Sequence, residues 1–446
     1  MDPEGTGLAR GDRATVTRSR TGRQTVEAVW RMESARIVST LARFTGDFTL
    51  AEDLAQEALA EALVGWPRDG VPRNPAGWLL TVGRRRAIDV FRRRSALDER
   101  YAALARDTGE GGATSGAPGM PPVGAATDAE LLWDPDRIDD DVLALIFVSC
   151  HPVLPREAQV ALTLRVLGGL TSDEIARAFL VPTATVQARI TRAKKTLAAA
   201  QVPFAVPEPE EYRERLGSVL SVLYLIFTEG STATSGTEWI RPDLAREAIR
   251  LTRVLARLVP NESEAHGLLA LLELTSARFP ARVSDDGEPV LLEQQDRRRW
   301  DRAAIRRGRA ALARAGQVGR GLGAYGIQAA IAEWHAVAPS VDETDWERIV
   351  LLYEALSLLA PSPVVELNRA VAISMAQRPA AALHVVDDLV SADRLAGSHL
   401  LPSVRGELLR RLGRTDEARH ELELAVRLAG NERERGLLQR KLADLV

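Results

Sequence analysis

The side chains best suited to directed contact crowd into one short stretch, TATVQARITRAKK, residues 183–195. Between the apolar positions Val186 and Ile190, and around them, stand Thr183, Thr185, Gln187, Arg189, Thr191 and Arg192, followed by Lys194 and Lys195. A guanidinium can pair with guanine and a carboxamide with adenine, each through two hydrogen bonds, while ammonium groups meet phosphates. A second set lies in NPAGWLLTVGRRRAIDVFRRR, which holds six arginines and one acid, Asp89, between Arg84 and Arg94. There Arg84, Arg85, Arg86, Arg92 and Arg93 form a cationic face that attracts phosphates, and Trp78 could stack on an unpaired base or simply pack. A third set, Glu52, Asp53, Gln56 and Glu57, gives the outer side of a helix an acidic and amide character unsuited to DNA. It points to a protein partner or to solvent.

All of this is chemistry of recognition and not of turnover. Cys150-His151 stands alone, with no second Cys/His pair at ligand spacing, so a buried thiol is expected and no metal. No GxxxxGK loop occurs, and no Ser/His/Asp spacing suggests a nucleophile. Neither an enzyme nor a cofactor is expected. Glu293, Asp296, Arg297 and Trp300, in LLEQQDRRRWD, could line a pocket, but a solvated helix face with local ion pairs is the plainer reading.

The elements that must position these residues are helical. Apolar residues recur at three- and four-residue steps along most of the 446 residues, and no alternating strand pattern persists, so the fold class is all-α. Thr49 with Glu52 and Thr171 with Glu174 have capping-box spacing, and Asn74-Pro75 suits a helix start. Within GLTSDEIARAFLVPTATVQARITRAKK, a first short helix buries Ile175, Ala176 and Phe179, and a turn follows at Leu180-Val181-Pro182. A second helix, capped by Thr183, is held by Val186, Ile190 and Leu197. That is a helix-turn-helix, whose second helix enters the major groove. In the arginine-rich stretch, Trp78, Leu79, Val82, Ile88 and Phe91 are expected to face inward.

Charge divides the chain. Residues 1–95 carry 16 Lys and Arg against 12 Asp and Glu, residues 96–140 carry 3 against 10, and residues 141–200 carry 7 against 4. The acidic, Gly-, Ala- and Pro-rich segment cannot bury enough apolar surface to offset its ordering entropy. The expected organisation is a disordered tail over 1–23, a basic helical domain over 24–95, a flexible acidic linker over 96–140, and a helix-turn-helix domain over 141–200. A helical extension over 201–340 and a repeat domain over 341–446 complete it. In the last, Ala370, Ile373, Ala382, Val386 and Leu389 recur thirty-six residues later as Gly406, Leu409, Ala418, Leu422 and Ala425, near the unit length of a tetratricopeptide repeat. The lack of a long apolar run and the single cysteine lead us to expect a cytoplasmic chain without a membrane partner.

In order and spacing, AEDLAQEALAEAL, PAGWLLTVGRRRAIDVFRR and the helix-turn-helix resemble bacterial RNA polymerase sigma factors of the extracytoplasmic-function group. The long C-terminal part resembles that of a subgroup carrying tetratricopeptide-like repeats. The resemblance implies partners: core RNA polymerase, through its clamp helices and flap, and promoter DNA. It assigns Asp53, Gln56 and Glu57 to the polymerase. Trp78, Arg84, Arg85, Arg86, Asp89, Arg92 and Arg93 fall to the −10 element, and Thr183, Thr185, Gln187, Arg189, Thr191, Arg192, Lys194 and Lys195 to the −35 element. It also implies control through the extension, by a protein or peptide regulator. Arg85 and Gln187-Ala188 depart from common sigma residues, so promoter sequence does not carry over. A polymerase-independent helix-turn-helix regulator with a repeat-type sensor is the alternative.

Overall fold

The computed structural model describes residues 8–107, 135–179, 181–231, 241–284, 290–395, 397–430 and 432–445. They fall into two compact units, Met1–Arg177 with Val181–Val219, and Ala178–Leu180 with Leu220–Val446. Among the described residues there are helices and no strands, as the periodicity requires.

The first unit begins with α1 (Leu8–Thr45), α2 (Phe48–Asp69) and α3 (Pro75–Asp107). Ile37, Val38 and Leu41 of α1 are buried, as are Leu54, Ala58 and Ala62 of α2, and these two helices form the main packing pair. Gly46, at φ +65°, ends α1 and leaves Asp47 in an extended conformation. Asp47 Oδ1 therefore accepts from the Leu50 amide at 3.0 Å, and the capping role expected of Thr49 belongs to Asp47. Asn74 does cap α3, accepting from the Gly77 amide at 3.0 Å.

Three expectations change here. Helix α1 starts at Leu8, inside the expected disordered tail, because extending a helix already anchored by packing needs no new nucleus. Helix α3 runs to Asp107, into the expected linker, through the helix-favouring residues SALDERYAALARD. Of the rest of that linker, residues 108–134 lie outside the described residues. The buried stripe of α3 comprises Ala76, Leu79, Leu80 and Ala87, with Gly83 also buried. Trp78, Val82, Ile88 and Phe91 are only half-buried. Small residues take the inner positions because α1 comes close; a Cβ on Gly83 would lie 2.8 Å from Leu41 Cδ1.

After it come α4 (Pro135–Ser149), α5 (Arg156–Val166), α6 (Ser172–Phe179), α7 (Thr183–Ala199) and α8 (Pro209–Ser231). Thr171 and Glu174 form the predicted reciprocal cap: the Thr171 amide donates to Glu174 Oε2 at 2.8 Å, and the Glu174 amide to Thr171 Oγ1 at 3.2 Å. Ile175, Ala176, Val186, Ile190 and Leu197 are buried as expected, while Phe179 is half-buried and Leu180 lies outside the described residues. Thr183 does not cap α7. Pro182 holds that position, and the Thr183 hydroxyl instead donates to Asp173 Oδ1 at 2.8 Å, pinning the two helices of the hairpin together. Cys150 is buried between α4 and α5, its sulfur 3.4 Å from Thr163 Oγ1.

The second unit takes the end of α8 and then α9 (Pro242–Leu258), α10 (Ser263–Ser276) and the short α11 (Phe279–Arg282). The stretch read as a charged helix is broken instead into two 3-10 turns, Leu292–Gln294 and Arg297–Arg299. Asp296 and Asp301 explain the break, since their side chains accept from the amides of Arg298 and of Ala303 and Ala304, so each starts a new turn. From Asp301 run α12 (Arg302–Val318), α13 (Ala324–Val337), α14 (Trp346–Leu359), α15 (Pro363–Met375), α16 (Pro379–Ser391), α17 (Leu400–Arg411), α18 (Thr415–Leu428) and α19 (Glu432–Ala443). Helices α15 and α16 pair, as do α17 and α18, and the ten positions related by thirty-six residues all lie in their interior. Gly406 is there for closeness: a Cβ on it would stand 2.9 Å from Leu422 Cγ.

Candidate nucleic-acid and protein interface

On α7, Gln187, Thr191, Arg192 and Lys195 are exposed, and Thr183, Thr185 and Arg189 are half-buried with part of their surface outward. The buried row Val186, Ile190, Ala193 and Leu197 fixes this orientation. On α3, Arg85, Asp89, Arg92 and Arg93 are exposed. Two arginines of that set are engaged. Arg84 lies over the Phe44 ring, 5.1 Å from its centroid, and Arg86 donates to Glu57 at 2.6 Å and Glu61 at 2.8 Å. Glu61 and then Glu57 raise the Arg86 pKa, so this residue fastens α3 to α2. Trp78 packs edge-on against Trp66, with centroids 5.5 Å apart.

The face of α2 is arranged differently from its sequence reading. Asp53 and Glu57 are exposed, but Glu52 is 3% exposed and does not belong to the outer side. It lies under the ammonium of Lys194 from α7, which also donates to Asp53 Oδ1 at 2.7 Å. Arg165 of α5 reaches the same helix. Its Nη2 donates to Gln56 Oε1 at 2.7 Å, its Nε stands 3.5 Å from Glu52 Oε1, and its Nη1 donates to the Leu170 carbonyl at 3.2 Å. Burial alone would lower the Lys194 pKa; Glu52 and Asp53 outweigh it and hold the group above its ordinary value. Glu52, Asp53 and Gln56 of α2 are thus clasped by two cations, Arg165 of α5 and Lys194 of the helix-turn-helix, the latter a predicted DNA contact.

Further contacts close the same seam. Arg31 of α1 pairs with Glu174 of the capping box, and Arg43 stands 3.2 Å from Asp141. Gly169, at φ +66°, lets the chain turn against α1; a Cβ there would come within 2.9 Å of Ser34 Oγ and 3.2 Å of Arg31 Cα. Sequence reasoning missed this seam, because Lys194 and Asp53 are 141 positions apart and no local spacing joins them.

Comparison with known proteins bears on these faces one by one. Residues 29–96 match the Sigma-70 region 2 family, which covers α2 and the arginine face of α3. Residues 144–197 match the Sigma-70, region 4 family, which covers the helix-turn-helix. The chain thus carries a sigma-70 region 2 segment and a sigma-70 region 4 segment. Residues 215–316 match a family of unknown function, DUF6596. Over 418 residues the chain is 44% identical to uncharacterized protein R00370 of Rhizobium meliloti, covering 92% of this chain and 93% of that one, so the two chains belong to one family. It is also 26% identical over 189 residues to a protein named probable ECF RNA polymerase sigma factor SigI of Mycobacterium tuberculosis, covering 42% of this chain and 59% of the relative. No solved structure matches the chain.

The expected DNA-binding, transcription-initiating, helix-turn-helix character thus follows from these matches. Among the described residues no helix is long and apolar enough to cross a membrane, and no group of three His, Cys, Asp or Glu side chains could hold a metal ion.

Proposed function

We propose that this protein is a sigma-70 family factor that docks on core RNA polymerase through Asp53, Gln56 and Glu57 of α2. Arg85, Asp89, Arg92 and Arg93 of α3, with Trp78 at its foot, then engage the −10 strand, and Gln187, Thr191, Arg192 and Lys195 of α7 read the −35 duplex. The observation that carries the reading is the placement on one unit of two exposed cationic faces beside an acid and amide face. Exposed guanidinium groups supply salt-dependent grip on phosphate, and Gln187 and Arg192 have the hydrogen-bonding forks needed at base edges.

The clasp of Lys194 and Arg165 on α2 adds a regulatory element. In that arrangement Asp53 and Gln56 already have partners, so polymerase docking requires the seam to open. The C-terminal helices are read as a tetratricopeptide-like stack that governs the factor through a protein or peptide partner; the thirty-six-residue offset and the two helix pairs support this.

The test is transcription in vitro with bacterial core polymerase and a pool of promoter fragments. The full chain is expected to direct initiation, Arg192→Ala to lose about tenfold or more in −35 discrimination, and Asp53→Arg to lose polymerase binding. Binding to promoter duplex without polymerase, and none with it, would instead identify a polymerase-independent regulator. For the extension, truncation after Ser231 keeps α8 whole, whose Ser218 and Arg215 bond the carbonyls of Cys150 and Phe147. Undiminished, normally regulated transcription by that truncation would remove the regulatory role.

A further inference from the structure

In the second unit Arg278 has no acid acting on it, although Glu343 lies within electrostatic reach of the neighbouring Arg297. Arg278, just past the end of α10, lines a cleft of about 600 Å³ together with Tyr224, Gln328, His335, Tyr353 and Asn368. Its Nε is sealed from solvent and has no hydrogen-bond partner among the described residues. The buried carboxylate of α10 cannot serve it: Glu273 is taken by Arg253 at 2.8 Å and by Arg307 at 3.0 Å. Behind Arg278 stands Arg297, whose Nη1 donates to the carbonyls of His335 and Ala338 at 2.6 Å while its Nη2 is sealed without a partner. Burial and Arg297 lower the Arg278 pKa, and burial, Arg278 and Arg297 push His335 down to about 4. His335 is therefore neutral at physiological pH, and its Nδ1 also lacks a partner.

A half-buried cation whose Nε is sealed from water and has no counter-charge is costly to keep, so a fold that holds one beside an open cleft suits the entry of a negative group. The rest of the lining agrees. Ser362, Val364, Val365 and Asn368 bring the start of α15, a thirteen-residue helix, to the same cleft, and that end of a helix carries partial positive charge. The phenols of Tyr224 and Tyr353 stay protonated, raised by burial and, for Tyr353, to about 12, so they serve as neutral donors. The volume suits a small organic molecule and not a protein segment.

We infer that this cleft binds a small organic oxyanion, a carboxylate or phosphate-bearing metabolite, with its charged group on Arg278 and its remainder against Tyr224, Tyr353 and the start of α15. The site lies within the second unit and does not depend on the sigma reading, so it is tested without polymerase or DNA. It gives the C-terminal half a small-molecule input distinct from a protein partner.

The experiment is calorimetry and thermal unfolding of the full chain with benzoate and with inorganic phosphate, each against sodium chloride at equal ionic strength and against neutral benzamide. Saturable binding and a rise in Tm are expected for at least one of the two anions and for neither control; benzoate alone identifies a carboxylate site, phosphate alone a phosphate site. Arg278→Gln should weaken that binding about tenfold or more while leaving the ligand-free Tm unchanged or higher. Tyr353→Phe, which keeps the ring, should weaken it by a smaller factor and serves should Arg278→Gln fail to fold. Anions that stabilise no more than chloride would overturn the assignment, as would full binding in both variants.

Discussion

Two ionic sites in this protein are built in opposite ways. At the seam of the first unit one buried acid, Glu52, faces two cations, Lys194 and Arg165, and Asp53 and Gln56 complete their bonding. In the second unit Arg278 faces another arginine and a neutral histidine, with no acid. The first site is internally satisfied, so its groups are partnered within the unit for as long as the seam stays closed. The second is incomplete, and what would complete it must come from outside. A closed contact and a receptive one can be told apart simply by asking where the counter-charge is.

The contrast can be broken most sharply at Glu52. Glu52→Ala removes the buried acid that Lys194 and Arg165 share and should cost about 3 kcal/mol in denaturant unfolding of the full chain. A cost near zero would mean the seam holds nothing. The backbone of the same seam comes next. Gly169→Ala forces a side chain into a left-handed conformation and against Arg31 Cα, and should cost about 2 kcal/mol, read as a fall in Tm with faster hydrogen exchange in α6 and α7. Smaller still is the pH effect in the second unit. The folded His335 pKa, about 4, lies below its ordinary 6.5, so the histidine's contribution is present above 6.5 and lost as pH falls towards 4. Stability should drop by about 1 kcal/mol between pH 6.5 and 5.5, and His335→Gln should flatten that slope. Smallest is Arg278→Met, expected to change stability by no more than about 0.5 kcal/mol or to raise it, the opposite of Glu52→Ala.

What the sequence made legible follows from the range of the forces involved. The capping box at Thr171 and Glu174 and the apolar row from Val186 to Leu197 are local, so spacing alone found the helix-turn-helix. Thr49 had the same local signature, and Thr183 was also expected to cap, yet neither does, because Asp47, two residues earlier, and Pro182, one residue earlier, hold the cap positions. The α3 stripe was misread by favouring large residues; close packing on α1 selected Ala76, Gly83 and Ala87 instead. Exposed members of the candidate surfaces, Arg85, Arg92, Gln187 and Arg192, were readable from composition. The seam and the Arg278 cleft were not, since each is assembled from residues far apart along the chain, and Trp300, read as part of a solvated face, is 2% exposed beneath the Arg297 guanidinium.

Cys150 is the chain's only cysteine, and burial pushes its thiol up to about 11. At neutral pH the thiolate fraction is on the order of one in ten thousand, and the sulfur is walled off besides. A thiol-alkylating dye will therefore stay dark on the native protein and light up only as the packing of α4 and α5 gives way. The wild-type chain thus carries its own unfolding clock, one that reports on the first unit and is blind to the second.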